Sequence, residues 1–202
     1  MKTNNIKFIS ICIGLIFIVL LVVVIFPNTF SKFSNTKVLS GTIKVNNNTI
    51  SNYLKNTKDL EKDNTKDSNL RYKNSTNNYI KIDNHLYQII GIFNNNIKVI
   101  DTVSISKDEL DNYYNNLSIN TKSIIIESTY YNGKTNSKEF IKAYEEEKTN
   151  SIKSKINIMN ISDSIYCDWL EYDEINIKPV FHIDGNISYL KGKGTKNDPY
   201  VV

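Results

Sequence analysis

The chain has 202 residues, with 25 lysines and arginines against 21 aspartates and glutamates, which gives a formal net charge of +4. This small charge is dispersed along the sequence, whereas a nucleic-acid-binding domain usually clusters its lysines and arginines on one face. The composition therefore argues against a nucleic-acid-binding protein, and we expect no nucleic-acid partner.

An uncharged apolar segment, Phe8 to Phe26, lies close to the N-terminus. As a helix, its roughly nineteen residues would rise about 28 Å, close to the ~30 Å hydrocarbon core of a bilayer. A cleaved signal peptide is the alternative, but its apolar region normally has about 7 to 15 residues and ends at a small-x-small cleavage site. The sequence after Pro27 matches such a site poorly. We therefore expect an uncleaved signal anchor.

The lysines near this segment predict its orientation. Lys2 and Lys7 precede it, and although Lys32 and Lys37 follow it, the short N-terminal tail cannot form a domain. By the positive-inside tendency, the N-terminus stays in the cytoplasm and the chain after Phe30 is exported. We expect a single-pass protein of the cell membrane, in which residues 1–30 form the tail and the transmembrane anchor in the lipid bilayer and the C-terminal domain is extracellular.

Residues 31–69 are rich in Asn, Lys, Asp, Ser and Thr. Ile50, Tyr53 and Leu54 have helical spacing, but three apolar positions cannot stabilise an isolated helix. We predict a polar stalk over residues 31–69 with one weak helix or strand, and Lys55 to Ser68 as its most disordered part.

Three apolar runs follow, separated by Asp83-Asn84 and by Asn94 to Asn96, and this pattern predicts a three-stranded meander. The middle run has apolar side chains at odd and even positions, so we expect a central strand that is covered on both faces. Gly91 within it predicts a bulge or a close backbone approach.

The next part of the chain predicts helices. Ser106 to Glu109 is a capping-box pattern, and the apolar spacing after it predicts an amphipathic helix from about Lys107 to Leu117. A second short helix is predicted over Asn120 to Ile125. Asn136 to Glu139 repeats the capping pattern ahead of a helix that runs to about Lys148.

The remaining strand candidates are STYY before Asn132-Gly133, and then KINIMNI, KPVFHI and NISYL. At the end of the chain, Gly192 and Gly194 permit a turn, and Pro199 favours an edge position because it has no amide hydrogen. We predict a closing edge strand at residues 200–202, with a frayed tail as the alternative. Strands at both ends with helices between them indicate an α+β domain over residues 70–202, with an antiparallel sheet and two or three short helices.

Four segments in order carry a family resemblance. RYKNSTNNYIKIDNHLYQIIGIF is similar to R-Y-x-G-x-x-x-N-N-Y-V-x-F-N-x-x-x-W-R-I-I-G-V-F, and STYYNGK to T-W-Y-x-G. KINIMNISDSIY is similar to K-I-G-L-M-x-x-S-D-Y, and the closing residues resemble R-P-V followed by G-x-G-T-x-x-D-P-Y. These patterns belong to membrane-anchored surface proteins of low-GC Gram-positive bacteria. The matched residues of the first and third segments are Arg71, Tyr72, Asn77, Asn78, Tyr79, Ile89, Ile90, Gly91, Phe93, Lys155, Ile156, Met159, Ser162 and Asp163.

The resemblance covers about Leu70 to Val202 and implies a surface location. The family has no known molecular function, and its domain is similar to C-type-lectin-like and sulfatase-modifying-factor-like folds by distant analogy, which transfers no activity. Between the Ser-Asp motif and Lys178, which stands where the family has arginine, this chain has only SIYCDWLEYDEIN instead of a long Trp- and Ser-rich stretch. The chain therefore resembles a shortened member of the family.

Few residues are candidates for chemistry. The sequence has two histidines, His85 and His182, and it lacks phosphate-loop, Cys-x-x-Cys and Gly-x-Ser-x-Gly patterns. His182 and Asp184 could share a strand face as metal ligands, but a strand-end histidine beside an Asp-Gly turn is the simpler interpretation. We expect no catalytic, cofactor or metal site.

Cys167 is the only cysteine after the apolar segment, so no intramolecular disulfide can form there. We expect it to be buried beside Trp169, with a free thiol that reacts or pairs between chains as the alternative. Asp163 follows Ser162 and is most simply a turn or helix cap.

We therefore expect a membrane-anchored extracellular domain that is a non-catalytic binding or interaction module for a cell-surface glycan or protein. Its thirteen tyrosines and many amides suit a carbohydrate- or peptide-binding face. One alternative is an envelope enzyme or enzyme accessory with a site near Cys167, His182 and Asp163. The other is a degenerate structural paralogue without a ligand.

Overall fold

The computed structural model describes residues 48–202, which fall within one compact unit, Val45–Val202. The predicted membrane anchor lies outside the described residues. Within residues 48–202, no helix has the length and apolar character needed to cross a bilayer.

The described residues form five helices, a 3₁₀ turn and thirteen strands, numbered in chain order. They are α1 (Ile50–Lys55), β1 (Leu60–Lys62), β2 (Leu70–Tyr72), β3 (Tyr79–Ile82), β4 (His85–Phe93), β5 (Asn96–Asp101), β6 (Ile105–Ser106), a 3₁₀ turn (Lys107–Glu109), α2 (Leu110–Asn116), α3 (Ile119–Ile124), β7 (Ile125–Ile126), β8 (Ser128–Tyr131), α4 (Phe140–Glu147), β9 (Ser151–Ser154), β10 (Asn157–Ile158), α5 (Ile161–Tyr166), β11 (Asn176–Ile177), β12 (Pro179–Ile183) and β13 (Tyr200–Val201).

The main sheet is built on three antiparallel strands in the order β4, β5, β12. The outer edge of β4 pairs with β3 and β2, and the outer edge of β12 pairs with β7 and β10. β1 extends the sheet beyond β2, and β13 lies parallel to β3. Two further pairs, β6 with β11 and β8 with β9, form small sheets. The predicted α+β fold and the meander β3, β4, β5 are confirmed.

Two clusters of buried side chains cover the two faces of this sheet. Val99 and Phe181 point to one face, where α1, α2 and α3 pack against them. Ile100 and Val180, one position along each strand, point to the other face together with Cys167. Both faces of β4 are therefore covered, as its apolar pattern predicts.

Gly91 marks a bulge in β4. The pairing with β5 shifts register between Ile89 and Gly91, and a Cβ atom at Gly91 would lie 2.2 Å from the carbonyl oxygen of Leu70. Both interpretations of this glycine, a bulge and a close backbone approach, are correct. The close approach brings β2 against the second half of β4.

The structure corrects the predicted stalk, because its second half belongs to the folded domain. Ile50 and Leu54 of α1 are fully buried, and Tyr53 stacks on Tyr189 with ring centroids 3.9 Å apart. Within the segment predicted to be disordered, β1 pairs with β2 and Asp63 is 1 % exposed. The helix needs no stability of its own because the sheet covers its apolar face.

The three predicted helices are confirmed to within a few residues. The predicted capping box of the first is also confirmed, because Ser106 donates from its backbone nitrogen and its hydroxyl to the Glu109 carboxylate. The second capping pattern is wrong, because Glu139 is the N-cap of α4 and Ser137 Oγ accepts from its amide. Of KINIMNI only β10 is a strand. NISYL forms only an isolated bridge at Ser188.

Candidate functional site

A row of paired residues crosses the second face of the sheet. Arg71 on β2 lies opposite Gly91 on β4, Gly91 lies opposite Lys98 on β5, and Lys98 lies opposite His182 on β12. Paired residues on adjacent strands point to the same face. Since Gly91 has no side chain, the side chains of Arg71 and Lys98 converge above it.

Asp163 on α5 receives both of these cations. Arg71 Nη1 lies 2.6 Å from one of its carboxylate oxygens, and Lys98 Nζ lies 2.5 Å from the other. Burial alone would raise the pKa of Asp163, but the charges of Lys98 and Arg71 hold it below its usual value. The backbone nitrogen of Asn160 also donates to this carboxylate, so the predicted capping role is correct and Asp163 joins the ion pairs as well.

Arg71 has a second acidic partner in the segment predicted as a stalk. Its Nε atom donates to Asp63 at 2.8 Å, and the other Asp63 oxygen accepts from Thr65 Oγ1 at 2.7 Å. The guanidinium carbon lies 4.6 Å from the Phe93 ring centroid and 5.2 Å from that of Phe140. Arg71 is therefore held by charge on one side and by aromatic rings on the other.

Glu147 ties α4 to the start of α5. Its carboxylate accepts from the backbone nitrogen of Ser162 at 3.1 Å and from the Ser162 hydroxyl. Burial raises the pKa of Glu147 despite these two hydrogen bonds. The two helices are thereby fixed relative to each other over the second face of the sheet.

A cavity of about 340 Å³, here called the sheet-face cavity, lies over this row, and Arg71, Lys98, Asp163, His182 and Tyr130 are among the side chains that line it. Its size is at the lower end of the ~300–1,000 Å³ typical of small-molecule sites. The lining also includes several amide side chains, Asn69, Asn94, Asn96 and Asn160.

His182 is the first unusual group in this cavity. Its side chain is 6 % exposed and lies between the rings of Phe93 and Tyr130, at centroid distances of 5.6 and 5.4 Å. The imidazole forms no hydrogen bond to any residue that the structure describes. Burial, with the nearby charge of Lys98, lowers the pKa of His182 to about 3. The ring is neutral at physiological pH, with one nitrogen as donor and the other as acceptor.

Tyr130 is the second unusual group. Its side chain is 2 % exposed, and its hydroxyl has no acceptor among residues 48–202. Burial raises the pKa of this hydroxyl, which therefore keeps its proton. The cavity is therefore lined by a buried hydroxyl without an acceptor and by an imidazole without a hydrogen bond to a described residue.

An ion pair lies at the edge of the cavity. Lys148 Nζ lies 2.9 Å from Asp67, which also accepts from Tyr144 Oη at 2.7 Å. The Tyr144 hydrogen bond, followed by that of Lys148, lowers the pKa of Asp67. This pair is partly exposed, unlike the ion pairs of Arg71.

The structure separates the three residues of the enzyme alternative. Asp163 and His182 line the sheet-face cavity, whereas Cys167 is fully buried in the apolar cluster that includes Trp169. Burial raises the pKa of the Cys167 thiol to about 12. The expected burial of Cys167 is confirmed, and its side chain does not line the sheet-face cavity.

Asp184 has a local role that differs from metal binding. Its carboxylate accepts from the backbone nitrogen and the side-chain nitrogen of Asn186, each at 2.9 Å, so it shapes the turn after β12. Among residues 48–202, no group of three His, Cys, Asp or Glu side chains could hold a metal ion.

A second cavity, of about 770 Å³, lies on the other face of the sheet beside His85 and Tyr113. Its floor includes Asp101, a fully buried carboxylate that accepts from His85 Nε2 at 2.8 Å, from the backbone nitrogen of Val103 at 2.9 Å and from the Tyr113 hydroxyl. Asp101 therefore has protein partners for its carboxylate, and its bond to Tyr113 links β5 to α2.

Comparison with protein-family models, with curated proteins and with solved structures finds no match to the chain.

Proposed function

We propose that this chain is a membrane-anchored, exported domain that binds a small ligand in the sheet-face cavity without catalysing a reaction. The uncharged segment from Phe8 to Phe26 and its flanking lysines support the anchored topology. The resemblance of residues 70–202 to surface proteins supports the same location.

The proposal depends on one observation, the pair of unpartnered polar groups beside the cavity. The Tyr130 hydroxyl and the His182 imidazole are both more than nine-tenths buried. A buried polar group without a partner costs about 1–3 kcal/mol, and folded proteins have few such groups. A ligand that accepts from the Tyr130 hydroxyl would remove this cost, and a hydrogen bond to the His182 imidazole would add to its affinity.

The protonation states of His182 and Asp163 favour ligand binding over catalysis. A general base works best when its pKa lies near the operating pH, whereas the pKa of His182 is about 3. Asp163 already accepts from two cations. Neither group is suited to proton transfer, and Cys167 lies outside the cavity.

A binding screen tests the proposed function. The full-length protein, purified in detergent, is applied to an array of glycans and cell-wall fragments, together with Tyr130→Phe and His182→Phe. We expect a ligand that binds the wild type and binds both variants at least tenfold more weakly. His85→Phe, on the other face of the sheet, serves as the matched control and should bind like the wild type.

If no ligand is found, or if the cavity variants bind as well as the wild type, the proposed binding site is wrong. The first of these results would favour the degenerate paralogue. Turnover of a bound fragment would favour the enzyme alternative.

Protease treatment of intact cells tests the proposed topology. With the cell wall removed, added protease should cleave the region after Phe30 and leave the N-terminal tail protected. Protection of the C-terminal domain in intact cells would contradict the proposed orientation.

A further inference from the structure

The chemistry of the sheet-face cavity also indicates which class of ligand it binds, and this inference rests on the proposed function. The charged groups of its floor neutralise one another. Arg71 pairs with Asp63 and Asp163, and Lys98 pairs with Asp163, at distances of 2.5 to 2.8 Å. The two buried cations are matched by two buried carboxylates. The other carboxylates of the lining, Asp67 and Glu127, are at exposed positions, where an ion pair contributes at most about 1 kcal/mol. A charged ligand would therefore lose its hydration without gaining a buried counter-charge.

The buried groups left for a ligand are neutral and of mixed hydrogen-bonding type. A neutral His182 ring offers one donor and one acceptor, and the Tyr130 hydroxyl offers a donor. Ser128, Thr129 and Asn96, which also line the cavity, carry groups that can both donate and accept. A ligand hydroxyl also does both, so several adjacent hydroxyls would suit this lining.

Aromatic rings supply the apolar part of the lining. Phe93 and Tyr130 flank His182, and Tyr131 lines the cavity as well. Small-molecule sites usually combine such apolar surface with a few fixed polar groups. The C–H face of a sugar ring packs against an aromatic ring while its hydroxyls point outward to polar groups.

We infer that the sheet-face cavity binds an uncharged, polyhydroxylated ring, that is, a neutral hexose or N-acetylhexosamine unit of a glycan. The Tyr130 hydroxyl donates to one hydroxyl oxygen of the sugar. The His182 imidazole accepts from a second sugar hydroxyl and donates to a third. The volume of about 340 Å³ suits one or two such rings.

A matched ligand series tests this inference by isothermal titration of the full-length protein in detergent. The neutral members are the methyl glycosides of glucose and N-acetylglucosamine. Methyl glucuronide adds a carboxylate and methyl glucosaminide adds an ammonium group on the same ring. We expect at least one neutral glycoside to bind tenfold or more tightly than both charged analogues, and to lose tenfold or more in Tyr130→Phe and in His182→Phe.

The controls distinguish the inference from the proposed function. Tyr130→Phe removes a single oxygen atom, so it remains informative if His182→Phe fails to fold, and His85→Phe should bind all ligands like the wild type. If a charged analogue, or a ligand of another class from the array, binds more tightly and loses affinity in the cavity variants, the neutral-sugar inference is wrong while the proposed site stands. If binding of every ligand is unchanged in the cavity variants, both are wrong.

Discussion

Asp163 is the residue on which the ion pairs of the second sheet face depend. It is 1 % exposed and bonds to Arg71 from β2 and Lys98 from β5. Asp163→Asn would leave Lys98 buried without a carboxylate and Arg71 with Asp63 as its only one. Breaking a buried pair in this way costs about 3–5 kcal/mol. We expect a loss of that size in the free energy of unfolding measured with urea, a large share of the ~5–15 kcal/mol of a typical domain.

Asp67→Asn is the control for this experiment. Asp67 pairs with Lys148 where both side chains are partly exposed, and exposed ion pairs contribute at most about 1 kcal/mol. Equal stabilities of the two variants would show that the buried network contributes no more than the exposed pair.

His182 predicts a pH dependence of stability. Its pKa is about 3 in the folded protein, against 6.5 for an ordinary histidine. Between these values the unfolded chain binds a proton that the folded protein does not, so stability falls as pH falls from 6.5 toward 3. The slope for one proton is at most about 1.4 kcal/mol per pH unit. We expect His182→Phe to reduce the difference in unfolding free energy between pH 7 and pH 5.

The other histidine provides the comparison. His85→Phe should retain the part of the pH slope that His182 causes. Asp163 does not confuse the measurement, because its pKa is lowered below 3.8 and its contribution is lost only at more acidic pH. Identical slopes in His182→Phe and the wild type would contradict a neutral, buried imidazole.

The sequence predicts some residues of the site, but it does not predict which of them contact one another in the fold. Asp163 and His182 were identifiable because few residue types in this chain support chemistry. Arg71 and Asp163 both match the motif patterns, yet they are 92 residues apart in sequence, and their contact depends on how β2 and α5 reach the sheet. The unpartnered state of Tyr130 could not be predicted, since tyrosine in a strand pattern usually indicates core packing.

Among the structural elements, the segment between α1 and β2 departs most from the expectation. Composition predicts that deleting Lys55 to Ser68 has little effect. The structure predicts the opposite, because this segment contains β1 and brings Asp63 to Arg71 at 2.8 Å. We expect the deletion to lower the free energy of unfolding by about 3 kcal/mol or more, since it leaves a buried arginine with one partner fewer.

Thermal melting of the deletion variant beside Lys58→Ala and Lys66→Ala tests this expectation. The single substitutions lie in the same segment, and an exposed position such as Lys66 usually changes stability by less than about 0.5 kcal/mol. A deletion variant that melts with the wild type would restore the stalk interpretation.

Local signals explain which elements were predictable. The helices α2, α3 and α4 and the strands β3, β4 and β5 each have their own apolar period or cap, so the sequence predicts them. By contrast, β6, β7 and β11 have two residues each, and only their partners in the folded protein define them as strands. The helix α1 was underestimated because its stability comes from packing rather than from its own sequence.

At the scale of the whole molecule, the two ends of the described chain are joined. Ile50 donates from its backbone nitrogen to Ile187 at 2.9 Å, and Tyr189 donates to Asn48 at 3.0 Å. The rings of Tyr53, Tyr189 and Tyr200 contact one another. The first helix and the last strand thus cover part of one face of the sheet together, whereas the sheet-face cavity lies on the other face.

The closing strand β13 should therefore be necessary for the fold. It pairs in parallel with β3, where Tyr200 lies opposite Ile80 and is 1 % exposed, while Val201 and Val202 are half-buried. The Val201 amide and carbonyl also bond to Lys191 and Leu190 at 2.8 and 2.9 Å. Burial of one large side chain contributes about 1.5–3 kcal/mol and each such hydrogen bond about 1 kcal/mol.

Ending the chain after Thr195 removes these contacts and exposes both Ile80 and the ring of Tyr53. We expect the loss of about 3–5 kcal/mol from the free energy of unfolding, enough to unfold much of a marginally stable domain. Val202→Ser, which changes only a half-buried side chain beyond β13, is the matched control and should keep most of the stability. Thermal melts of the three proteins decide the matter. If the truncated chain melts within a degree or two of the full chain, β13 is a dispensable tail and the two ends of the domain are held together by α1 and Tyr189 alone.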